Sequence, residues 1–194
     1  MESGATIGMN RPEIENEFES FVSKSKSYID TRDREELDSL KTEIDELSRK
    51  LSAAFEDSRQ SGDVNYVAAL KLMSAIINKF NDSVDLMENL QTGKPLLQEF
   101  DTRRMLDVIL PNIKCLVEYD NWRDSLDPEK LEKDCMYVEL LEDQHKRILL
   151  TYLMQDWKNM EEVLNLIKIG ELYKNIAEKL VSLSLLSLYI EKND

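Results

Sequence analysis

The sequence predicts an all-α protein, an elongated antiparallel helical bundle or coiled coil of four to six helices. The chain of 194 residues has only 5 glycines and 4 prolines, so few positions interrupt a helix. Leu, Glu and Lys, which favour helices, are abundant, and charged residues make up 33% of the chain. Apolar residues recur at alternating spacings of three and four, the period of one face of a helix.

The chain carries a formal net charge of −14. Nucleic acids and anionic membranes attract clusters of Lys and Arg, so this charge predicts a protein that binds neither directly. The most apolar stretch, LVSLSLLSLYI at residues 180–190, has about half the length that spans a bilayer. Because the amino terminus also lacks an apolar signal sequence, we expect no transmembrane segment and a cytoplasmic location, with the nucleus as the alternative.

Residues 13–91 are predicted to form amino-terminal helices with heptad seams, preceded by a flexible segment at residues 1–12. A short helix is expected after Pro12, because proline is favoured in a first turn. A second helix should end at Ser61-Gly62-Asp63. Its apolar residues have the spacing of a coiled-coil seam and are Leu37, Leu40, Ile44, Leu47, Leu51 and then Ala54 or Phe55.

A third helix is predicted to begin after Asp63, whose side chain can cap it. Gly93 and Pro95 should end the element, because glycine suits the left-handed stop and proline cannot continue a helix. The apolar seam between these signals again alternates between four and three, and consists of Tyr66, Leu70, Met73, Ile77, Phe80, Val84 and Met87.

Residues 96–194 are predicted to form a carboxy-terminal helical bundle. Thr102 or the aspartate before it can cap a segment that Pro111 should kink or divide. Asp127-Pro128 combines a capping oxygen with a first-turn proline and predicts the start of a long last element. Gly170 is the only breaker inside that element, so we expect one helix with a weak point or two helices nearly in line.

The last element has two adjacent apolar stripes. One consists of Val138, Leu141, Ile148 and Tyr152, and the other of Leu149, Leu153, Trp157, Met160, Leu164 and Ile167. Two stripes on one helix require two neighbours. We therefore expect this element to lie among three or more helices, some of them from another chain.

No pattern in the sequence predicts catalysis. Glu142 and His145 have the Glu-x-x-His spacing of helical di-iron sites, but such sites need two histidines and the chain has one. A pair of His145 with Cys135 is too long for a hydrogen bond, because ten residues span about 15 Å along a helix. A pair of His145 with Cys115 on another helix is the alternative. The G-x-S-x-G elbow of serine hydrolases is absent from the sequence. We predict a protein that is not an enzyme, with free thiols and without cofactor or metal.

The seams themselves predict the function, a non-enzymatic coiled-coil subunit of a larger cytosolic or nuclear assembly. Its partners would be other helical proteins, in a hetero-oligomer and not as a monomer. The alternative is a self-contained helical adaptor that binds an amphipathic helix of a partner. The candidate contact residues follow from seam position and are Leu40, Ile44, Leu47, Leu51 and Trp157.

Three stretches carry a resemblance to a known family: KTEIDELSRKL at residues 41–51, LMENLQTGKPLL at 86–97 and LMQDWKNMEEVL at 153–164. Their order and separations resemble those of the smallest shoulder subunit of dynactin, the cofactor of the dynein motor, over residues 12–167. The tail after Ile167 has no counterpart in that family. The resemblance implies a coiled-coil subunit without enzymatic activity that packs among other coiled-coil chains near microtubules.

Overall fold

The computed structural model describes residue 24 and residues 34–61, 64–90, 102–117, 127–155 and 157–191. These residues form five α-helices, and the predicted all-α class is confirmed. In chain order the helices are α1 (Arg34–Ser61), α2 (Val64–Glu88), α3 (Thr102–Val117), α4 (Pro128–Gln155) and α5 (Met160–Glu191), with a 3₁₀ turn at Trp157–Asn159 before α5.

Helices α1 and α2 form an antiparallel pair. Lys41 of α1 reaches across to the end of α2, where its Nζ lies 2.9 Å from Asp85 Oδ1 and 2.5 Å from Glu88 Oε2. The hydrogen bond to Glu88 raises the pKa of Lys41 above its ordinary value. The predicted α1 seam is buried, and its members are Leu37, Leu40, Ile44, Leu47, Leu51 and Ala54.

Helix α2 is buried on two sides, because it packs against both α1 and α5. The predicted seam residues Leu70, Met73, Ile77, Phe80, Val84 and Met87 are all buried. A second row at intervals of seven, Ala69, Ile76, Ser83 and Leu90, is buried as well. The hydroxyl of Ser83 donates a hydrogen bond to the Phe80 carbonyl oxygen at 2.7 Å, so this polar group is satisfied inside the core.

Helix α5 is the central element, in contact with α2, α3 and α4. The ring of Tyr173 is fully buried, and its centroid lies 6.3 Å from that of Phe80 on α2. The apolar tail of the sequence contributes Leu180 and Leu183 to the core, whereas Leu185 and Tyr189 are exposed. The hydroxyl groups of its two buried serines donate to backbone carbonyls within the same helix, Ser184 to Val181 and Ser187 to Ser184.

The last element is two antiparallel helices, so the prediction of one helix or two helices nearly in line was wrong. The chain reverses at the Trp157–Asn159 turn, and α5 lies back along α4. Two ion pairs connect the helices, Lys146 Nζ to Glu171 Oε1 at 3.0 Å and Lys174 Nζ to Glu139 Oε1 at 2.8 Å. The reversal lets the apolar stripe of α4 cover α5, which a continuous helix would leave exposed.

Gly170, the expected weak point, lies inside α5 and does not interrupt it.

Helix α3 packs against both α4 and α5. Pro111, expected to kink or divide this segment, lies exposed within a single helix that continues to Val117. The next residue, Asn112, is buried and donates from Nδ2 to Asp134 Oδ2 of α4 at 2.8 Å and to the Val108 carbonyl oxygen at 2.9 Å. The side chain of Asn112 thus connects α3 to the first half of α4.

The predicted start of α4 is confirmed. The Oδ1 atom of Asp127 accepts hydrogen bonds from the backbone N–H of Glu129 at 3.0 Å and of Lys130 at 3.3 Å. Pro128 occupies the first helical position, where its missing N–H is not needed. Aspartate and proline together therefore determine where the helix begins.

Several expectations concern residues outside those described: the flexible segment 1–12, the helix after Pro12, the stop at residues 93–95 and the side chains of Tyr66 and Cys115. The coiled-coil character of the seams, the elongated shape and the division into residues 13–91 and 96–194 remain predictions. Among the described helices, none combines the length and the apolar character needed to cross a membrane.

Replacing Asp127 with alanine should destabilise the protein by about 1 kcal/mol, because two backbone N–H groups at the start of α4 lose their acceptor. Urea unfolding followed by circular dichroism would measure the change. Asp127→Asn is the matched control, since the amide oxygen can still accept both bonds. Equal stability of the alanine variant and the wild type would contradict the assignment of this cap.

Candidate functional site

The predicted partner-contact residues of α1 lie in the core of the chain itself. Leu40, Ile44 and Leu47 are 1% exposed and Leu51 is 2% exposed. They lie on the helix that packs against α2, so a helix of the same chain is the neighbour that the seam requires. The structure therefore gives these four side chains a role in folding and does not present them to another chain.

Trp157, the fifth predicted contact residue, is 75% exposed and does not belong to the buried core. It was predicted to face a helix, yet in the described residues it lies at the α4–α5 turn, on the outside. Met160 and Leu164 follow at spacings of three and four and are about half exposed. Such spacing places residues on one side of a helix. These three residues are called the Trp157 surface below.

The Trp157 surface has charged neighbours. Lys158, Glu161 and Lys168 are all exposed and lie next to it along the chain. Protein–protein contacts combine an apolar centre, often with an aromatic side chain, and a polar rim. Tryptophan is also one of the residue types enriched at the energetic centres of such contacts. The arrangement is therefore suited to binding another protein.

A second exposed apolar region lies along α4, and the sequence analysis did not identify it. Met136, Leu140, Leu150 and Met154 are all exposed, with values from 44% for Leu150 to 89% for Met154. Their side of α4 is away from the buried row formed by Leu131, Val138, Glu142, His145 and Leu149. These four residues form a third apolar stripe on the same helix. The sequence analysis had assigned two stripes of this helix to the core and did not look for another.

The only histidine of the sequence belongs to a buried polar pair. Glu142 and His145 are 4% and 6% exposed, on the side of α4 that packs against α5. Lys146 connects the pair to the surface, because its Nζ lies 3.8 Å from Glu142 Oε1 and 3.0 Å from Glu171 Oε1. The hydrogen bond to Glu171, together with the charge of Glu142, raises the pKa of Lys146. A charged lysine therefore compensates a carboxylate at the helix interface.

Gly170 of α5 lies beside this pair. A methyl group at this position would lie 3.6 Å from Glu142 Cγ, 3.7 Å from His145 Cδ2 and 3.9 Å from Met105 Cε. These are ordinary van der Waals separations, so the backbone of α5 passes close to side chains of α4 and α3. The arrangement is that of a packed helix crossing.

Cys135 is the one cysteine whose side chain is described, and it is a free thiol. Burial raises its pKa above the ordinary value of 9.0, and the negative charges of Glu178 and Glu139 act in the same direction. The thiolate is the reactive form of cysteine, so these surroundings make the sulfur a poor nucleophile at neutral pH. Among the described residues, no cluster of His, Cys, Asp and Glu could hold a metal ion.

Comparison of the sequence with protein-family models and with curated proteins gives no match. The resemblance to the dynactin shoulder subunit therefore remains a prediction, carried by the three stretches that suggested it. Two of them lie largely in the described helices, KTEIDELSRKL in α1 and LMQDWKNMEEVL across the α4–α5 turn.

Replacing Gly170 with alanine should stabilise the protein by up to about 1 kcal/mol, because alanine favours the helix and its methyl group fits. The melting temperature should rise by about 2–4 °C for a chain of this size. Gly170→Leu is the contrasting variant, since its longer side chain would enter the space of Glu142 and His145 and should destabilise. A lower melting temperature for the alanine variant would contradict this packing.

Cys135 should react with iodoacetamide more slowly in the folded protein than in guanidinium chloride. The pH at half-maximal rate should be higher in the folded protein than in the unfolded chain, because burial and two carboxylates disfavour the thiolate. The measurement uses a Cys115→Ser background so that one thiol is observed. Glu178→Gln removes one negative charge and should lower that pH midpoint. Identical rates and midpoints in the folded and unfolded chain would refute the expected shift.

Proposed function

We propose that this chain is a non-enzymatic helical subunit of a larger cytosolic or nuclear protein assembly, which binds an amphipathic helix of a partner on the Trp157 surface. The observation that carries the proposal is the exposure of Trp157 beside Met160 and Leu164. Of the two functions considered from the sequence, the self-contained adaptor agrees better with this geometry. Its α1 seam is covered by α2 and is not shared with another chain.

The energetics of the exposed tryptophan support binding. Covering roughly 150 Å² of its surface contributes about 4 kcal/mol before the cost of association is subtracted. Met160 and Leu164 extend the apolar area along α5, and no reorganisation of the helix is needed to present them. A rigid surface loses little conformational entropy on binding, which favours affinity.

The expected partner is a helix with its own apolar stripe. Residues at positions i, i+3 and i+7 form a row that a second helix can cover along its length. The nearby Lys158, Glu161 and Lys168 include both signs of charge, so the partner helix should have charged residues beside its stripe. The net charge of −14 disfavours nucleic acid in this role.

The proposal that the protein is not an enzyme is supported by the environment of its single histidine. His145 is buried between α4 and α5 beside Gly170, where its ring contributes to packing. The resemblance to the dynactin shoulder subunit favours the same class of function and suggests an assembly associated with a cytoskeletal motor. Dynactin subunits are therefore the first proteins to look for among the bound partners.

Trp157→Ala should weaken partner binding by about 30-fold or more, as expected for the loss of an aromatic interface anchor. The test is affinity purification of tagged full-length protein from its native cell, with quantification of the bound proteins. Because Trp157 is exposed, the melting temperature of the variant should stay that of the wild type.

Leu185→Ala is the matched control, because Leu185 is an exposed apolar residue near the other end of α5. It should leave binding unchanged. Retention of every partner by the Trp157 variant would refute the proposed surface. Leu47→Asp is not informative here, since a charge at a fully buried position should unfold the chain and remove partners indirectly.

A further inference from the structure

Six exposed residues form a regular row along the outer face of α4. Their spacing is four, three, four, three, four, the pattern of one coiled-coil seam. The row, called the outer row below, consists of Met136, Leu140, Asp143, Arg147, Leu150 and Met154. The four apolar members are exposed, and the side chains of Asp143 and Arg147 at the centre are 58% and 82% exposed. This face of α4 has no covering helix among the described residues.

The outer row has the same spacings in both directions along the helix, and the same residue types apart from the central pair. Methionine lies at each end, leucine lies inside each methionine, and the spacing is unchanged when the order is reversed. Only the central pair differs, and there the two residues have opposite charge. A contact between two identical chains related by a two-fold axis needs this property, because residue i must contact residue j while j contacts i.

An antiparallel pair of α4 helices satisfies every position of the row. With the two-fold axis near residue 145, Met136 faces Met154 of the second copy and Leu140 faces Leu150. Asp143 then faces Arg147 of the second copy, and the same ion pair forms twice. A parallel pair would instead place like charges opposite each other, Asp143 against Asp143 and Arg147 against Arg147, which is unfavourable.

We propose that two copies of this chain associate through the outer rows of their α4 helices, antiparallel, about a two-fold axis near residue 145. The leucines and methionines provide the apolar burial that drives the contact. The central charges fix its register and direction, the role best established for polar residues in helical seams.

The fold prepares α4 for this contact. Packing against α3 and α5 on its other side holds the helix in place, so the contact does not require the ordering of a flexible segment. The row extends over eighteen residue steps, about 27 Å of helix. Within a single chain, Arg147 Nη2 lies 4.0 Å from Asp143 Oδ2, so the two opposite charges lie side by side at the centre of the row.

The inference does not depend on the Trp157 surface, because it uses a different face and a different partner. Its readout is the mass of the purified chain in solution, measured by analytical ultracentrifugation over a range of concentrations. The wild type should be a dimer that dissociates on dilution. Asp143→Arg and Arg147→Asp should each raise the dissociation constant by about 100-fold or more, since each variant places four like charges together.

Two further measurements separate this arrangement from a general effect of surface charge. The double variant Asp143→Arg/Arg147→Asp exchanges the charges and should restore the dimer. An equimolar mixture of the two single variants should form a heterodimer, because the two arginines at positions 143 and 147 of one chain then face the two aspartates of the other. Lys168→Asp, an exposed charge change on α5, is the control that should leave the mass unchanged.

Each remaining outcome overturns the proposal. A wild-type chain that is monomeric at all concentrations excludes the proposed dimer. The same result is expected if the outer row binds a different protein. A dimer that persists in both single variants excludes the outer row as its contact. Loss of the dimer in the single variants without recovery in the double variant and the mixture excludes the antiparallel register. Circular dichroism should show unchanged helix content in every variant.

Discussion

Burial of α5 is the constraint on which the rest of the structure depends. This helix contacts α2, α3 and α4, and through α2 it connects the α1–α2 pair to the other helices. The contact between Tyr173 and Phe80 lies at that junction, with both rings fully buried. A helix with three neighbours must be apolar around most of its surface. This requirement explains the stretch LVSLSLLSLYI, whose serines donate hydrogen bonds within the helix and allow close approach.

The ionic contacts follow from the same geometry. Lys146 and Lys174 lie at the edge of the α4–α5 contact and each pairs with a glutamate across it. Exposed ion pairs of this kind contribute little to stability. They instead fix the alignment of α4 relative to α5, since a shift of one helix by one turn would separate both pairs. Lys146 has a further effect, because its charge lies near the buried carboxylate of Glu142.

Much of the fold could be predicted from the sequence, because helix periodicity and end signals are local. The α1 and α2 seams are buried as their spacing indicated, and Asp127-Pro128 begins α4. The reversal after α4 could not be predicted in the same way. The segment DWKN, which separates α4 from α5 in the sequence, includes neither glycine nor proline, so the residues that most often mark a turn are lacking there.

The candidate site shows a different limit. A heptad seam indicates that a helix packs against a neighbouring helix. It does not indicate whether that helix belongs to the same chain or to another. Leu40, Ile44, Leu47 and Leu51 were assigned to a partner on this evidence, and α2 covers them. Trp157 was selected by the same rule and is exposed. It lies in the turn after α4, so the spacing of the apolar residues of α4 does not apply to it. Only the folded structure distinguishes a seam residue that is buried within the chain from one that is exposed to a partner.

The position of the turn at the end of α4 has a consequence for architecture. Trp157 lies twelve residues beyond the centre of the outer row, about 18 Å along the axis. Two chains joined antiparallel would present their tryptophans at opposite ends, roughly 36 Å apart along α4. The proposed dimer would be bivalent: it would bridge two partner molecules, or bind both subunits of a dimeric partner with the gain in avidity that linked sites provide.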